Sequence, residues 1–153
     1  MKKIKVLMFL ITSLVVLTFL TGCTNKTPIT GDEFKVSMEE NGYTIYETDD
    51  FSNIDSILGV YIAKKNDSQI EFYQMDSVDY AKDFYENNEG ILETMTGSAS
   101  FNSKINMANY SKCTFLYDDE YYIVSRIEDS VIYVSGTSDD KDEINKILED
   151  LGY

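Results

Sequence analysis

The 153-residue chain contains no histidine and no tryptophan, one arginine (Arg126), one proline (Pro28) and two cysteines (Cys23 and Cys113). Without histidine there can be no Ser-His or Cys-His couple, no HExxH zinc site and no imidazole general base. Thirteen basic against 27 acidic side chains give a formal charge of −14. A chain so short of cations cannot neutralise phosphates, which excludes the nucleic-acid-binding classes. What it has in quantity is acid, together with twelve tyrosines and eight phenylalanines, ample material for a core.

The longest apolar run lies at the start. Lys2, Lys3 and Lys5 precede a block from Val6 to Leu20, and Leu20-Thr21-Gly22-Cys23 closes it. A basic head, an apolar middle and a small-residue exit are the layout of a secretory signal. Read from the residues alone, an uncleaved anchor or plain secretion stays open, although the block, broken by Thr12, Ser13 and Thr18, is short against the ~20 apolar residues of a spanning helix. The closing tetrapeptide resembles the lipobox of bacterial lipoproteins. That resemblance implies a diacylglyceryl group on the Cys23 sulfur, with palmitate-type acyl chains, and cleavage between Gly22 and Cys23. It also implies a mature protein anchored by its first residue on the extracytoplasmic face of the cell membrane. Two or more acyl chains hold firmly, since each buried methylene contributes about 0.8 kcal/mol.

On this reading residues 1–22 are a signal peptide, 23–31 a lipidated tether and 32–153 one globular domain. Removing residues 1–22 takes away three lysines and no acid, leaving 10 basic and 27 acidic side chains and a formal charge of −17. With Cys23 acylated, Cys113 has no partner for an intramolecular disulfide. The fold then rests on packing alone, over a length able to bury roughly two thirds of its unfolded surface.

Periodicity supplies the elements. A helix begins at Thr30 or Asp32, with Phe34 and Met38 one turn apart and Gly42 as its C-terminal stop, and Tyr43 to Thr48 alternates as a strand. Phe51, Ile54, Ile57 and Leu58 have the spacing of a short helix closed by Gly59. Gly59 to Lys64 and Gln69 to Met75 flank Asn66-Asp67-Ser68 as a hairpin. A long helix capped by Asp76 or Ser77 carries the stripe Ala81, Phe84, Tyr85, Asn88, Leu92 and Met95, with a kink or end expected at Gly90. Ala99 to Met107 alternates, and three runs follow, Tyr110 to Tyr117, Tyr121 to Glu128 and Val131 to Gly136. The short acidic turns between those runs permit only antiparallel pairing. A last helix, capped by Ser138 or Asp139, shows Ile144, Ile147, Leu148 and Leu151 on one side before Gly152.

One pattern occurs twice, 110 residues apart. Asp32-Glu33-Phe34, Met38-Glu39-Glu40 and Gly42-Tyr43 return as Asp142-Glu143-Ile144, Leu148-Glu149-Asp150 and Gly152-Tyr153. A shared origin is one reading, but any amphipathic surface helix needs an acidic start, an apolar stripe and a glycine stop; what the echo supports is that both terminal helices dock on the same sheet in like fashion. The expected fold class is α+β, a largely antiparallel sheet of about six or seven strands covered by a long central helix and two terminal helices. These three helices are expected on one face, the other carrying tyrosine, threonine and serine or covered in part by the remaining short helix, with a split or strongly curved sheet as the alternative.

Chemistry-bearing patterns are sparse. Ser138-Asp139-Asp140-Lys141 fits S-x-x-K, but no Lys-Thr-Gly follows and the serine has a capping role. Acidic pairs such as Asp118 with Glu120 or Asp49 with Asp50 suit solvated turns, and no D-x-[DN]-x-[DN]-G calcium loop occurs. Cys113 shares a strand face with Phe115 and Tyr117 and reads as core. No cofactor, metal or catalytic residue is expected. Tyr121, Tyr122 and Tyr133 crowd the meander, and Arg126 follows Tyr122 on its face. Tyrosine brings contact area with a polar tip, which suits a partner surface. Arg126 would either pair with a carboxylate or anchor an anionic ligand.

The strand Val124-Ser125-Arg126-Ile127, its turn and the terminal Leu-Gly-Tyr helix also resemble small Gram-positive lipoprotein domains of unknown function, a resemblance that implies no activity. Three roles follow for the domain: a non-enzymatic module binding a protein or small ligand through a tyrosine-bearing sheet face, a minor hydrolase using paired carboxylates, or a structural accessory subunit. For the anchor the expectation is concrete. Cys23→Ser abolishes metabolic labelling by palmitate and leaves the precursor uncut, whereas unchanged labelling would contradict the lipobox reading.

Overall fold

The strands of the meander carry apolar residues at successive positions, as in Tyr121-Tyr122-Ile123-Val124, so both faces of their sheet must be covered. The computed structural model describes residues 25–48, 54, 56–97 and 101–153, with backbone alone at 101 and 102, and covers the sheet from opposite sides. In chain order the described elements are α1 (Gly31–Glu40), β1 (Thr44–Glu47), β2 (Ile57–Lys65), β3 (Ser68–Met75), α2 (Val78–Thr96), β4 (Phe101–Asn106), β5 (Tyr110–Tyr117), β6 (Glu120–Ile127), β7 (Ser130–Thr137), a 3₁₀ turn (Ser138–Asp140) and α3 (Lys141–Asp150). The strands form one seven-stranded sheet in the order β1-β2-β3-β7-β6-β5-β4. Every neighbouring pair is antiparallel. The α+β class expected from the sequence is the class observed.

Topology dictates where the helices go. β3 and β4 point the same way with β7, β6 and β5 between them, a gap of about 19 Å at ~4.8 Å per strand. The 19 residues of α2 reach ~28 Å, enough to cross that gap over one face. On this face Ala81, Tyr85 and Leu92 of α2 pack on Tyr73, Met75, Cys113, Val124 and Val131. The opposite face carries Ala63, Ile70, Phe72, Ile123, Ile132 and Val134, which bury Phe34 and Met38 of α1 with Ile144, Ile147 and Leu148 of α3. The expectation of three helices on one face is thus corrected: the terminal helices share one side and the central helix takes the other. A sheet apolar on both faces cannot leave either to water.

Other expectations change locally. Ile57, Leu58 and Gly59 begin β2 rather than end a helix, with the register shifting between Ile57 and Gly59. Phe51 lies outside the described residues. α2 runs through Gly90 without ending, from its Ser77 cap to Gly97 at φ 65°. Its buried stripe is Ala81, Tyr85, Glu89, Leu92 and Thr96, while Met95 is 50% exposed. Glu89 belongs to the stripe because Lys104 of β4 pairs with its carboxylate at 2.7 Å. The last helix is not capped by Ser138 or Asp139. Asp140 instead accepts from Ser68 Oγ at 2.6 Å and Thr137 Oγ1 at 3.0 Å, which ties the turn to β3 and holds its carboxyl below the usual range.

The repeated pattern has a common geometry. Gly42 and Gly152 adopt φ of 80° and 87°. Tyr43 N–H donates to Met38 O at 2.9 Å and Tyr153 N–H to Leu148 O at 2.7 Å, so both helices end in the same six-residue Schellman closure. Each closing tyrosine turns into the same core. Part of the stretch expected as a tether is docked on the domain. Asn109 Nδ2 donates to Lys26 O at 2.9 Å, Lys26 lies over the Tyr110 ring, and Ile29 packs on the core.

Candidate functional site

Register decides which expected site residues meet. On the α2 face Glu71 pairs across with Tyr133, which pairs with Val124, while Gln69 pairs with Ser135 and Ser135 with Tyr122. Tyr133 therefore stands between Glu71 and the Tyr122–Glu120 end of β6. Each acid is engaged by a tyrosine on its own strand: Tyr73 Oη donates to Glu71 and Tyr122 Oη to Glu120. Gln69 Nε2 donates to Glu71 as well. Such i, i+2 pairs arise because alternate strand residues share a face.

The electrostatics follow from that crowding. Burial, then the hydrogen bond to Glu120 and its charge, pushes the Tyr122 phenol up to about 12. Burial followed by the charges of Glu71 and Glu120 raises Tyr133, and burial with the bond to Glu71 raises Tyr73. All three phenols stay protonated at physiological pH, Tyr73 and Tyr122 as donors to the two acids. Helix α2 reaches Tyr73 through Phe84, ring centroids 4.7 Å apart. Beyond it Glu71, Gln69, Tyr133 and Ser135 are half-buried and Glu120 is exposed, so aromatic rings and carboxylates share a surface the helix leaves open.

Tyr121 does not belong to this surface. It is 2% exposed on the opposite face, and its Oη donates to Asn145 Oδ1 of α3 at 2.9 Å. Tyr122 and Tyr133 are brought together, and Tyr122 itself is 9% exposed, so Tyr133 offers the larger contact. Glu71 and Tyr73 were missed in the sequence, and Glu120 was read only as a turn acid beside Asp118. A carboxylate inside the run Gln69-Ile70-Glu71-Phe72-Tyr73 was the available signal, since an acid in a central strand needs a partner.

Arg126 lies further along the same face and is 3% exposed. Its Nη1 donates to Glu128 O at 3.1 Å and its Nη2 to Ser111 Oγ at 3.5 Å, while Nε has no acceptor. It forms no ion pair with any described residue. Leaving a buried donor unsatisfied costs about 1–3 kcal/mol. The expected carboxylate partner is therefore not supplied by the described part of the chain.

Among the described residues no group of three or more Cys, Asp or Glu could hold a metal ion, and no helix is long and apolar enough to cross a membrane. Gly22, Cys23, Asp49 and Asp50 lie outside the described residues. Asp118 occupies the β5–β6 turn at φ 52°.

Comparison with known proteins adds little to this geometry. No family model matches the chain, and no curated protein matches it. A solved structure described as a GTP binding regulator from Thermotoga maritima is similar over 80% of this chain and 84% of its own, with 14% identity and a TM-score of 0.45.

Cys113 lies beneath α2 beside Tyr85 and is 1% exposed. Burial pushes its thiol up to about 11 from an ordinary 9.0. The raised value means that the protonated thiol favours the fold, a contribution complete below pH 9.0 and lost as pH rises through about 11. Since the thiolate is the nucleophile, disulfide reagents at pH 8 should label the native protein far more slowly than the urea-unfolded protein. Equal rates would contradict the placement of Cys113.

Proposed function

We propose that the chain is a lipid-anchored, extracytoplasmic lipoprotein whose domain is a non-enzymatic module, binding a protein partner through the open, tyrosine-bearing part of the α2 face. The observation that carries the binding role is the cluster of Glu71, Tyr133 and Glu120, half-buried or exposed beyond Phe84 of α2 and backed by the buried rings of Tyr73 and Tyr122 that donate to the two acids. Aromatic rings supply contact area, and the two acids with the strongly negative net charge favour a partner presenting lysine or arginine. Both acids already accept tyrosine hydroxyls, an arrangement suited to recognition more than to hydrolysis.

The leader sequence Leu20-Thr21-Gly22-Cys23 supports the membrane address. Since Lys26 is fastened to Asn109, only Thr24 and Asn25 separate it from Cys23, three chain steps with a reach of about 10 Å. An acylated Cys23 would thus hold the domain close against the bilayer rather than at the end of a long leash.

A photocrosslinking residue at Tyr133 in the acylated protein, irradiated in its own membranes, should give a discrete higher-mass adduct. The same residue at Asp150, exposed on α3, should give none. Glu120→Lys should abolish the adduct. No adduct at position 133, or equal adducts from both positions, would contradict a binding role for this face.

A further inference from the structure

Away from the tyrosine cluster, the α2 face carries a cavity of about 650 Å³ between the helix and the β4 edge. That volume lies in the range of small-molecule sites. Its wall is built from Lys82, Glu86 and Glu89 of α2, Lys104 and Asn106 of β4, the β4–β5 turn residues Met107 and Ala108, Ser111 of β5 and Arg126 of β6. Charge in this wall is unevenly satisfied. Glu89 is paired with Lys104 at 2.7 Å, and Glu86 lies 3.8 Å from Lys82. Arg126, the most deeply buried of the charged groups here, has no carboxylate partner among the described residues.

The guanidinium is nevertheless held in place. Nη2 donates to Ser111 Oγ, whose own hydroxyl donates to Asn106 Oδ1 at 3.0 Å, and Nη1 is fixed on Glu128 O. Two of the five N–H donors are thereby used. The rest, with the buried Nε among them, meet no acceptor in the described chain. A buried cation oriented by neutral groups and left without a counter-charge is the expected state of an anion-binding arginine whose ligand is absent, because buried charges elsewhere in proteins are paired.

We propose that this cavity binds a small monocarboxylate, with the carboxylate taken by the edge of the Arg126 guanidinium that lines the cavity. The planar fork of arginine matches two carboxylate oxygens. Glu86 and Glu89 in the wall disfavour a doubly charged anion, and Met107 and Ala108 offer a short alkyl chain an apolar surface. The proposal does not depend on the partner-binding role of the tyrosine cluster.

Arg126 is the only arginine of the chain, so one side-chain Nε–H resonance in a ¹H–¹⁵N spectrum reports on this site alone. Titrating the full chain in detergent with sodium butyrate should move that resonance saturably at millimolar concentration, whereas sodium chloride at equal ionic strength leaves it in place. Met107→Glu alters a residue 61% exposed at the rim, where a fold change is not expected, and should weaken the butyrate response by at least about tenfold by placing a like charge beside the ligand. An immobile resonance, an equal response to chloride, an unaltered response in Met107→Glu, or saturation by inorganic phosphate at lower concentration than by butyrate would each overturn the assignment.

Discussion

The pairing of β3 with β7 is the constraint on which the rest of the structure depends. Without it the chain is a three-stranded unit, β1 to β3, and a separate four-stranded meander, β4 to β7. Six residue pairs, from Gln69 with Ser135 to Gln74 with Ser130, join them into one sheet. The join places Ile70 and Phe72 beside Ile132 and Val134 on one face and Tyr73 beside Val131 on the other, so both apolar layers run unbroken across it. It also draws the C-terminal turn onto β3 through Asp140 and Ser68. At Gly136 the approach is close enough that an added Cβ would stand 2.8 Å from Ser68 Oγ and 2.9 Å from Ile144 Cδ1, so a side chain there would require both of those side chains to move.

Both candidate binding features are consequences of that sheet. The tyrosine cluster exists because β3, β7 and β6 are neighbours, which sets Glu71, Tyr133 and Tyr122 in adjacent rows. The cavity exists because α2 must cross from β3 to the far edge. Ser111 and Arg126 line the space left beside the Glu89–Lys104 pair. One face of one sheet thus carries two chemistries, acidic and aromatic at one end, cationic and enclosed at the other.

Much of this was legible in the residues. Alternation located the meander strands, the Asn66-Asp67 turn located the hairpin, and the glycine stops at Gly42 and Gly152 marked two helices that close in the same way. Helix position was less legible, since a periodic stripe shows that a helix has a buried side but not which face of a sheet receives it. Stripe membership failed at Glu89 for a related reason: an acid is placed on the wet side of a helix until the lysine that neutralises it, fifteen residues away, is known. In the same way Tyr121 and Tyr122 were equivalent as sequence, and only the docking of α3 buried the first against Asn145. Arg126 was recognised as needing an anion, while its isolation from every described carboxylate is a property of three-dimensional packing.

The account stands or falls on the unity of the sheet, and native-state hydrogen exchange measures this directly. Amides along β3 and β7 should share the slowest exchange in the domain, opening only with global unfolding. Exchange of β1 to β3 at a markedly faster common rate, with β5 to β7 still protected, would show two independently unfolding units and contradict it.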